Sequence, residues 1–297
     1  MENQNKKAWL YLLPALLFLG VFMVYPLVDV FVYSFEEGYN FASQSYHGVG
    51  WYNYSYILHD PYFLQAIKNT FILVMITVPL STVIALLVSL GLSSIQKLRS
   101  LFQTVYFLPY VCNTLALGLV FMILFQKTPF TDGFANTVIS FFGGTPIDFI
   151  DGPYWAKMFV LCFYTVWVVL PFKILILLGG LQSINKQYYD AAKVDGTPKA
   201  RVLTKITIPL LSPMLAYVII TGFIGGFKEY SSIIGIFGDK MGPAHDSGRL
   251  NTMVGFIYDA LGGDFQGLAS AAALILFGII LVVTMINLRV SKKKVHY

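Results

Sequence analysis

Long apolar runs alternate with short polar ones along the whole chain. Six of the runs, at about 9–33, 67–92, 101–125, 156–181, 212–237 and 268–288, reach the length a helix needs to cross the hydrocarbon of a bilayer. Pro14, Pro26, Pro79, Pro109 and Pro171 fall inside them, which membrane helices tolerate because neighbouring groups satisfy the freed backbone. The first run follows Lys6 and Lys7 as a signal peptide would, but it is too long and no small-residue cleavage site follows. Pro26, Asp29, Tyr33 and Phe35 end it instead, so the pattern predicts an uncleaved first span. The expected fold is an all-α membrane protein, residues 1–297 forming a single transmembrane domain of about six helices.

Composition agrees with the pattern. Hydrophobic residues make up 57% of the chain and charged residues 12%, about half the charge a water-facing surface carries, and the mean hydropathy is +0.68. Placing the N-terminus inside puts most of the 20 basic residues on the inner side: Lys6 and Lys7, Lys97 and Arg99, Lys186, Lys193, Lys199, Arg201 and Lys205, then Arg289 and Lys292 to Lys294. The acidic residues lean to the outer segments 34–66, 126–155 and 238–267. The positive-inside rule therefore predicts a multi-pass protein of the cytoplasmic membrane with both termini cytoplasmic. It also explains the net charge of +5 without nucleic acid. Cys112 and Cys162 sit in apolar runs and read as small hydrophobes, and the four histidines are scattered, so no metal site is expected.

The longest inner loop, 182–211, predicts an elbow of two short helices. Asn185 is placed to cap a first helix from Lys186 to Val194, and Gly196 to stop it with a positive φ. Thr197 reads as the next N-cap, Pro198 as the first residue of the second helix, and Pro209 as its end. Ala191 and Ala192 offer a face for close approach. Spacing alone leaves open an elbow that merely anchors on anionic lipid.

The same residues resemble a known signature. Asp190-Ala191-Ala192-x-x-Asp195-Gly196, followed by Ile206-x-x-Pro209, is similar to the E-A-A-x-x-D-G motif of ABC-importer permease subunits, with Asp190 in place of Glu, Thr197 of Ala and Leu203 of Phe. Tyr25-Pro26, Ser34-Phe35, Asn53-Tyr54, Asp60-Pro61, Asn69-Thr70, Gly242-Pro243, Thr252, Tyr258 and Gly267-x-Ala269-Ser270-Ala271 resemble, in order, sugar-importer permeases of the maltose and glycerol-phosphate branch. The resemblance implies a coupling loop in which Asp190, Ala191, Ala192, Asp195, Gly196, Thr197 and Pro209 engage an ATPase. It further implies a second, homologous permease subunit, two ATPase subunits that bind the ATP, an extracytoplasmic solute-binding protein, and a carbohydrate cargo, oligosaccharide first. No cofactor is expected on this chain, which lacks G-x-x-x-x-G-K-[ST], and no catalytic motif marks it as an enzyme.

Three ionisable residues fall within predicted spans: Lys173, Lys228 and Glu229. Lys173, late in an inward-running helix, is expected to snorkel to the cytoplasmic surface. Lys228 and Glu229 suit either a translocation cavity, an ion pair with the other permease subunit, or a helix broken early enough to leave them interfacial, with Asp29 a depth match for Lys228. Candidate cavity residues are Lys228, Glu229, Tyr110, Asn113 and Trp167, with Tyr106, Phe163 and Tyr164 as further aromatics able to stack on sugar faces. An ion-coupled secondary transporter is the rival reading, though no internal repeat is visible. Single cysteines in place of Lys97, Lys193 and Lys294 should be labelled from the cytoplasm, and those in place of Ser45, Thr145 and His245 from outside. External labelling of any of the first three overturns the six-span topology.

Overall fold

The computed structural model describes residues 2–41, 43–95, 99–238 and 250–294, most of them helical. Gly242, Pro243 and positions 97 and 245 lie outside the described residues. Helix α1 (Glu2–Leu19) passes through a π-turn at Gly20–Val24 into α2 (Tyr25–Phe35), after which β1 (Glu36–Glu37) and β2 (Gly48–Val49) form a short antiparallel hairpin. Then come α3 (Tyr52–His59), α4 (Pro61–Ser94), α5 (Arg99–Val111), α6 (Thr114–Phe125), α7 (Phe134–Phe141) and α8 (Tyr154–Ser183). The remainder is α9 (Lys186–Val194), α10 (Lys199–Val202), a second π-turn at Leu203–Thr207, α11 (Ile208–Phe227), α12 (Ser231–Phe237), α13 (Met253–Gly262) and α14 (Gln266–Lys294).

Among the described residues, 5 helical stretches are long and apolar enough to cross a membrane: Trp9–Phe35, Pro61–Ser94, Tyr154–Ser183, Lys199–Phe227 and Gln266–Lys292. A sixth candidate, Thr104–Val111 with Thr114–Phe125, is bent by 103°. The all-α membrane fold thus stands, but two spans differ from expectation. The third, predicted as unbroken over 101–125, is sharply broken at Cys112–Asn113. Pro109 cannot donate a backbone hydrogen bond, and Asn113 starts a new helix by accepting from Leu115 N–H at 2.9 Å and Ala116 N–H at 3.2 Å. Tyr164 Oη donates to the Thr114 carbonyl at 2.7 Å and pins the bend to α8.

The fifth span, predicted at 212–237, instead runs from Lys199 to Phe227 and stops at Lys228–Tyr230 before α12. Pro209 does not terminate the elbow. The π-turn at Leu203–Thr207 opens the helix just ahead of it, and Ile208 N–H donates five residues back, to the Leu203 carbonyl. The proline ring, which would clash with the carbonyl four residues back, is thereby accommodated. Pro26 is handled the same way, with Tyr25 N–H donating to the Gly20 carbonyl.

The chain divides into two compact units. One comprises Met1–Leu64 and Phe256–Gly278. Here Asn53 Nδ2 donates to the Ser34 and Glu36 carbonyls, both at 3.0 Å, and Tyr54 Oη to Ser34 Oγ at 2.8 Å, satisfying the end of the first span. The other comprises Gln65–Gly255 and Ile279–Tyr297. Its Asn69 and Thr70 hold the chain at Asn251–Met253: Asn69 Nδ2 donates to the Asn251 carbonyl at 2.9 Å, and Met253 N–H to Thr70 Oγ1 at 3.0 Å. Phe121, Leu161, Tyr164, Ile233 and Ile236 fill one core of this unit; Ala85, Leu92, Leu177, Leu178, Leu211 and Val218 fill another.

Helices α6 and α12 cross with backbones in contact, because a Cβ on Gly118 would lie 2.6 Å from the Gly235 backbone. Gly118→Val should therefore destabilise the protein by about 1–3 kcal/mol through overpacking. Gly91→Val, at a site with nothing within 4 Å, should leave thermal unfolding in detergent unchanged.

Candidate functional site

The elbow is built from local rules. Asn185 Oδ1 accepts from Gln187 N–H at 3.0 Å and starts α9. At its end Gly196 N–H donates to the Lys193 carbonyl at 3.2 Å and Thr197 N–H to the Ala192 carbonyl at 2.9 Å. This paired C-terminal motif requires a left-handed residue, and Gly196 has φ +65°. Thr197 thus closes α9 and does not cap the next helix. Pro198, with ψ 144°, occupies the N-cap position, and Lys199 is the first helical residue. Tyr189 Oη and Thr207 Oγ1, 3.3 Å apart, tie α9 to the base of the long helix. Ala192 is buried, whereas Asp190, Ala191, Asp195 and Gly196 are exposed, and Val194 is 88% exposed. Pro209 is half-buried just beyond the π-turn. An apolar Val194 among Lys186, Lys193 and Lys199 leaves the elbow with an uncovered face.

Lys228 and Glu229 stand in the break between α11 and α12, not inside a span. Gly225 and Gly226 accept from Lys228 N–H at 3.0 Å and Glu229 N–H at 3.2 Å as the helix ends. Glu229 Oε1 then accepts from Ser232 N–H at 3.0 Å, capping α12, and its carbonyl accepts from Thr252 Oγ1 at 2.8 Å. Lys228 is exposed. Asn113 and Glu229 thus share one role, each starting a helix after a break.

Tyr110 stacks on Phe172 at 5.7 Å, and Phe172 lies 6.5 Å from Tyr217, forming a half-exposed aromatic row across α5, α8 and α11. Trp167 is separate from this row, packed on Phe121 at 5.3 Å. Phe163 belongs to a stack with Phe159, and Tyr164 is buried in the core. Phe172 and Tyr217 do not stand out among 25 Phe and 19 Tyr, because nothing in the sequence says which aromatics share a face.

Lys173 does not snorkel. It is 3% exposed, and its ammonium donates to Ser81 Oγ at 2.7 Å, Thr82 Oγ1 at 2.9 Å and the Val78 carbonyl at 3.2 Å, all on α4. The helix points this side chain sideways into a neighbour that offers polar atoms, which removes the need to reach a membrane surface. Among the described residues, no group of three or more His, Cys, Asp or Glu side chains is placed to hold a metal ion.

Residues 81–296 match the family described as binding-protein-dependent transport system inner membrane component. The chain is similar to the lactose transport system permease protein LacF of Rhizobium radiobacter, 31% identical over 94% of this chain and 91% of that one. It is 28% identical to the arabinooligosaccharides transport system permease protein AraP of Bacillus subtilis, over 97% of this chain and 90% of that one. Its fold matches a chain in a bacterial ABC transporter involved in import of the acidic polysaccharide alginate, with TM-score 0.81 over 98% of this chain and 96% of that one. At 20% identity that likeness is one of fold.

The caps make separate predictions for the two charges. Glu229→Ala removes the acceptor of Ser232 N–H and should lower stability by about 1 kcal/mol, while Glu229→Gln retains an oxygen there and should lower it by less. Exposed Lys228→Gln should stay within about 0.5 kcal/mol of the parent, read by thermal unfolding in detergent.

Proposed function

Because the chain belongs to the family of binding-protein-dependent transport system inner membrane components, we propose that it is one permease subunit of an ATP-driven sugar importer and forms half of its translocation pathway. The relatives bear the names of lactose and arabinooligosaccharide transport systems, which supports a carbohydrate cargo, oligosaccharide first. The partners in this reading are a second, homologous permease, two ATPase subunits carrying the ATP, and an extracytoplasmic binding protein that delivers the solute. The chain itself performs no catalysis and carries no cofactor, and both its termini are cytoplasmic. The solved complex of the alginate transporter with a pentasaccharide-bound periplasmic protein supports this kind of assembly. Side chains along the first span, such as Leu10, Phe18, Phe22 and Phe31, are exposed and suit lipid or a partner permease.

The observation that carries the mechanism is the continuity of elbow and span. Helix α9 presents Asp190, Ala191, Asp195 and Gly196 outward, turns at Gly196, and feeds one helix from Lys199 to Phe227. Closure of the ATPases on ATP would move α9, and the long helix would carry that motion to the break at Lys228–Tyr230. Tyr110, with Phe172 and Tyr217, would offer ring faces to the apolar faces of a sugar, while Lys228, Glu229, Asn113 and Trp167 flank the two helix breaks and their packing. Hydrolysis would reset the cycle.

Gly196→Val tests the coupling assignment. No atom lies within 4 Å of a Cβ built there, so the elbow can hold the side chain, but the positive φ strains any β-branched residue by about 1 kcal/mol or more. The complex should insert and assemble normally, yet lose transport and the ATP hydrolysis stimulated by loaded binding protein. Asp190→Ala should impair both more mildly. Normal transport by Gly196→Val at normal expression refutes the assignment. For cargo, the purified complex with its binding protein should respond to an oligosaccharide with increased ATP hydrolysis. A response only to amino acids or peptides overturns the sugar reading.

A further inference from the structure

The surroundings of Lys173 offer its amino group three oxygens. Ser81 Oγ directs its proton to the Thr77 carbonyl, and Thr82 Oγ1 directs its own to the Val78 carbonyl at 2.7 Å. Both hydroxyls therefore turn lone pairs toward Lys173 Nζ, and the third neighbour, the Val78 carbonyl, can only accept. Three acceptors call for three N–H groups. A neutral amine has two and would aim its lone pair at an oxygen. The arrangement suits an ammonium, solvated inside the protein by three neutral oxygens. The far wall is equally close: a Cβ on Gly222 of α11 would lie 3.1 Å from Lys173 Nζ, and one on Gly226 would lie 3.1 Å from Val74 Cγ2. The glycines four apart let α11 approach α4 and close the cradle.

Lys173 is followed on α8 by Ile174, whose carbonyl lies 3.2 Å from Ser89 Oγ, and preceded by Phe172, which joins the aromatic row with Tyr110 and Tyr217. Adjacent helix residues point about 100° apart, so anchoring the lysine on α4 fixes the rotation of α8 and aims Phe172. We propose that Lys173 is a positioning residue: a buried charged clamp, formed with Ser81, Thr82 and the Val78 carbonyl, that sets the rotation of α8 and thereby holds Phe172 in the row that meets the cargo. The cargo half of this inference rests on the pathway proposed above; the clamp itself does not.

The test uses the assembled complex in lipid nanodiscs or proteoliposomes, with Cys112→Ala and Cys162→Ala as background. Lys173→Met should reduce transport per assembled complex about tenfold. Ser81→Ala with Thr82→Val, which strands the ammonium, should reduce it further. Adding Lys173→Met to that pair should restore transport to the level of Lys173→Met alone, because the hydroxyls act only through the charge. Additive losses in the triple variant overturn the clamp. The second readout needs no cargo: Phe172→Cys should react with a membrane-permeant maleimide at a rate that changes at least threefold when Lys173→Met is added. A lowered unfolding temperature with labelling rate and transport per complex unchanged reduces Lys173 to a purely stabilising residue and refutes the positioning role. If the parent complex carries no saccharide, the pathway reading fails while the labelling result still decides the clamp.

Discussion

In hydrocarbon there is no water to accept or donate a hydrogen bond, so every peptide group left over at a helix break must find a partner within the protein. Among the described residues of the unit Gln65–Gly255 with Ile279–Tyr297, the breaks before α6 and α12 are each completed by a polar side chain from the break itself. Asn113 closes the start of α6, Glu229 the start of α12, and Tyr164 and Thr252 reach in from elsewhere in that unit to fix the two corners. Remove those four groups and the backbone at both corners would be stranded. The broken helices are thus a local solution, and the polar residues that looked out of place in apolar runs are what makes it possible.

The same constraint explains where small and hydroxylated residues stand. Apolar side chains gain nothing by leaving lipid for one another, so helix association relies on close packing and on buried polar contacts. Gly118 and Gly235 bring α6 and α12 into backbone contact, while Gly222 and Gly226 let α11 close on the Val74 and Val78 side chains of α4. Ser81, Thr82 and Ser89 on α4 face α8, where an apolar residue would have left Lys173 without acceptors.

Much of this was legible beforehand. The apolar runs pointed to the all-α membrane fold, and local chemistry gave the N-cap at Asn185, the limits of α9 and the positive φ of Gly196, since these depend on a handful of adjacent residues. What escaped was set by tertiary contacts. Depth along a helix can be counted from a sequence, but the direction a side chain faces around the axis cannot, so depth alone takes Lys173 to a membrane surface when it is enclosed. Pro109 and Pro209 look alike in a sequence; one lies beside a sharp corner, the other passes smoothly through a π-turn, and the difference lies in whether a nearby Asn can start a new helix. Asn53, Asn69 and Thr70, whose sequence signal is only a family resemblance, satisfy carbonyls and an amide at the ends of elements.

The uninterrupted helix from Lys199 to Phe227 has a mechanical consequence. Its 29 residues make a rod of about 43 Å. If the rod pivots near one end, a tilt of about 5° displaces the other by about 4 Å, close to the thickness of a sugar ring. The wider turn at Leu203–Thr207 is the compliant joint of this lever, beginning right after the four residues Lys199–Val202 at its driven end. Stiffness beyond that joint, more than any chemistry at the far tip, would then decide how faithfully a stroke delivered at the elbow arrives at Lys228–Tyr230.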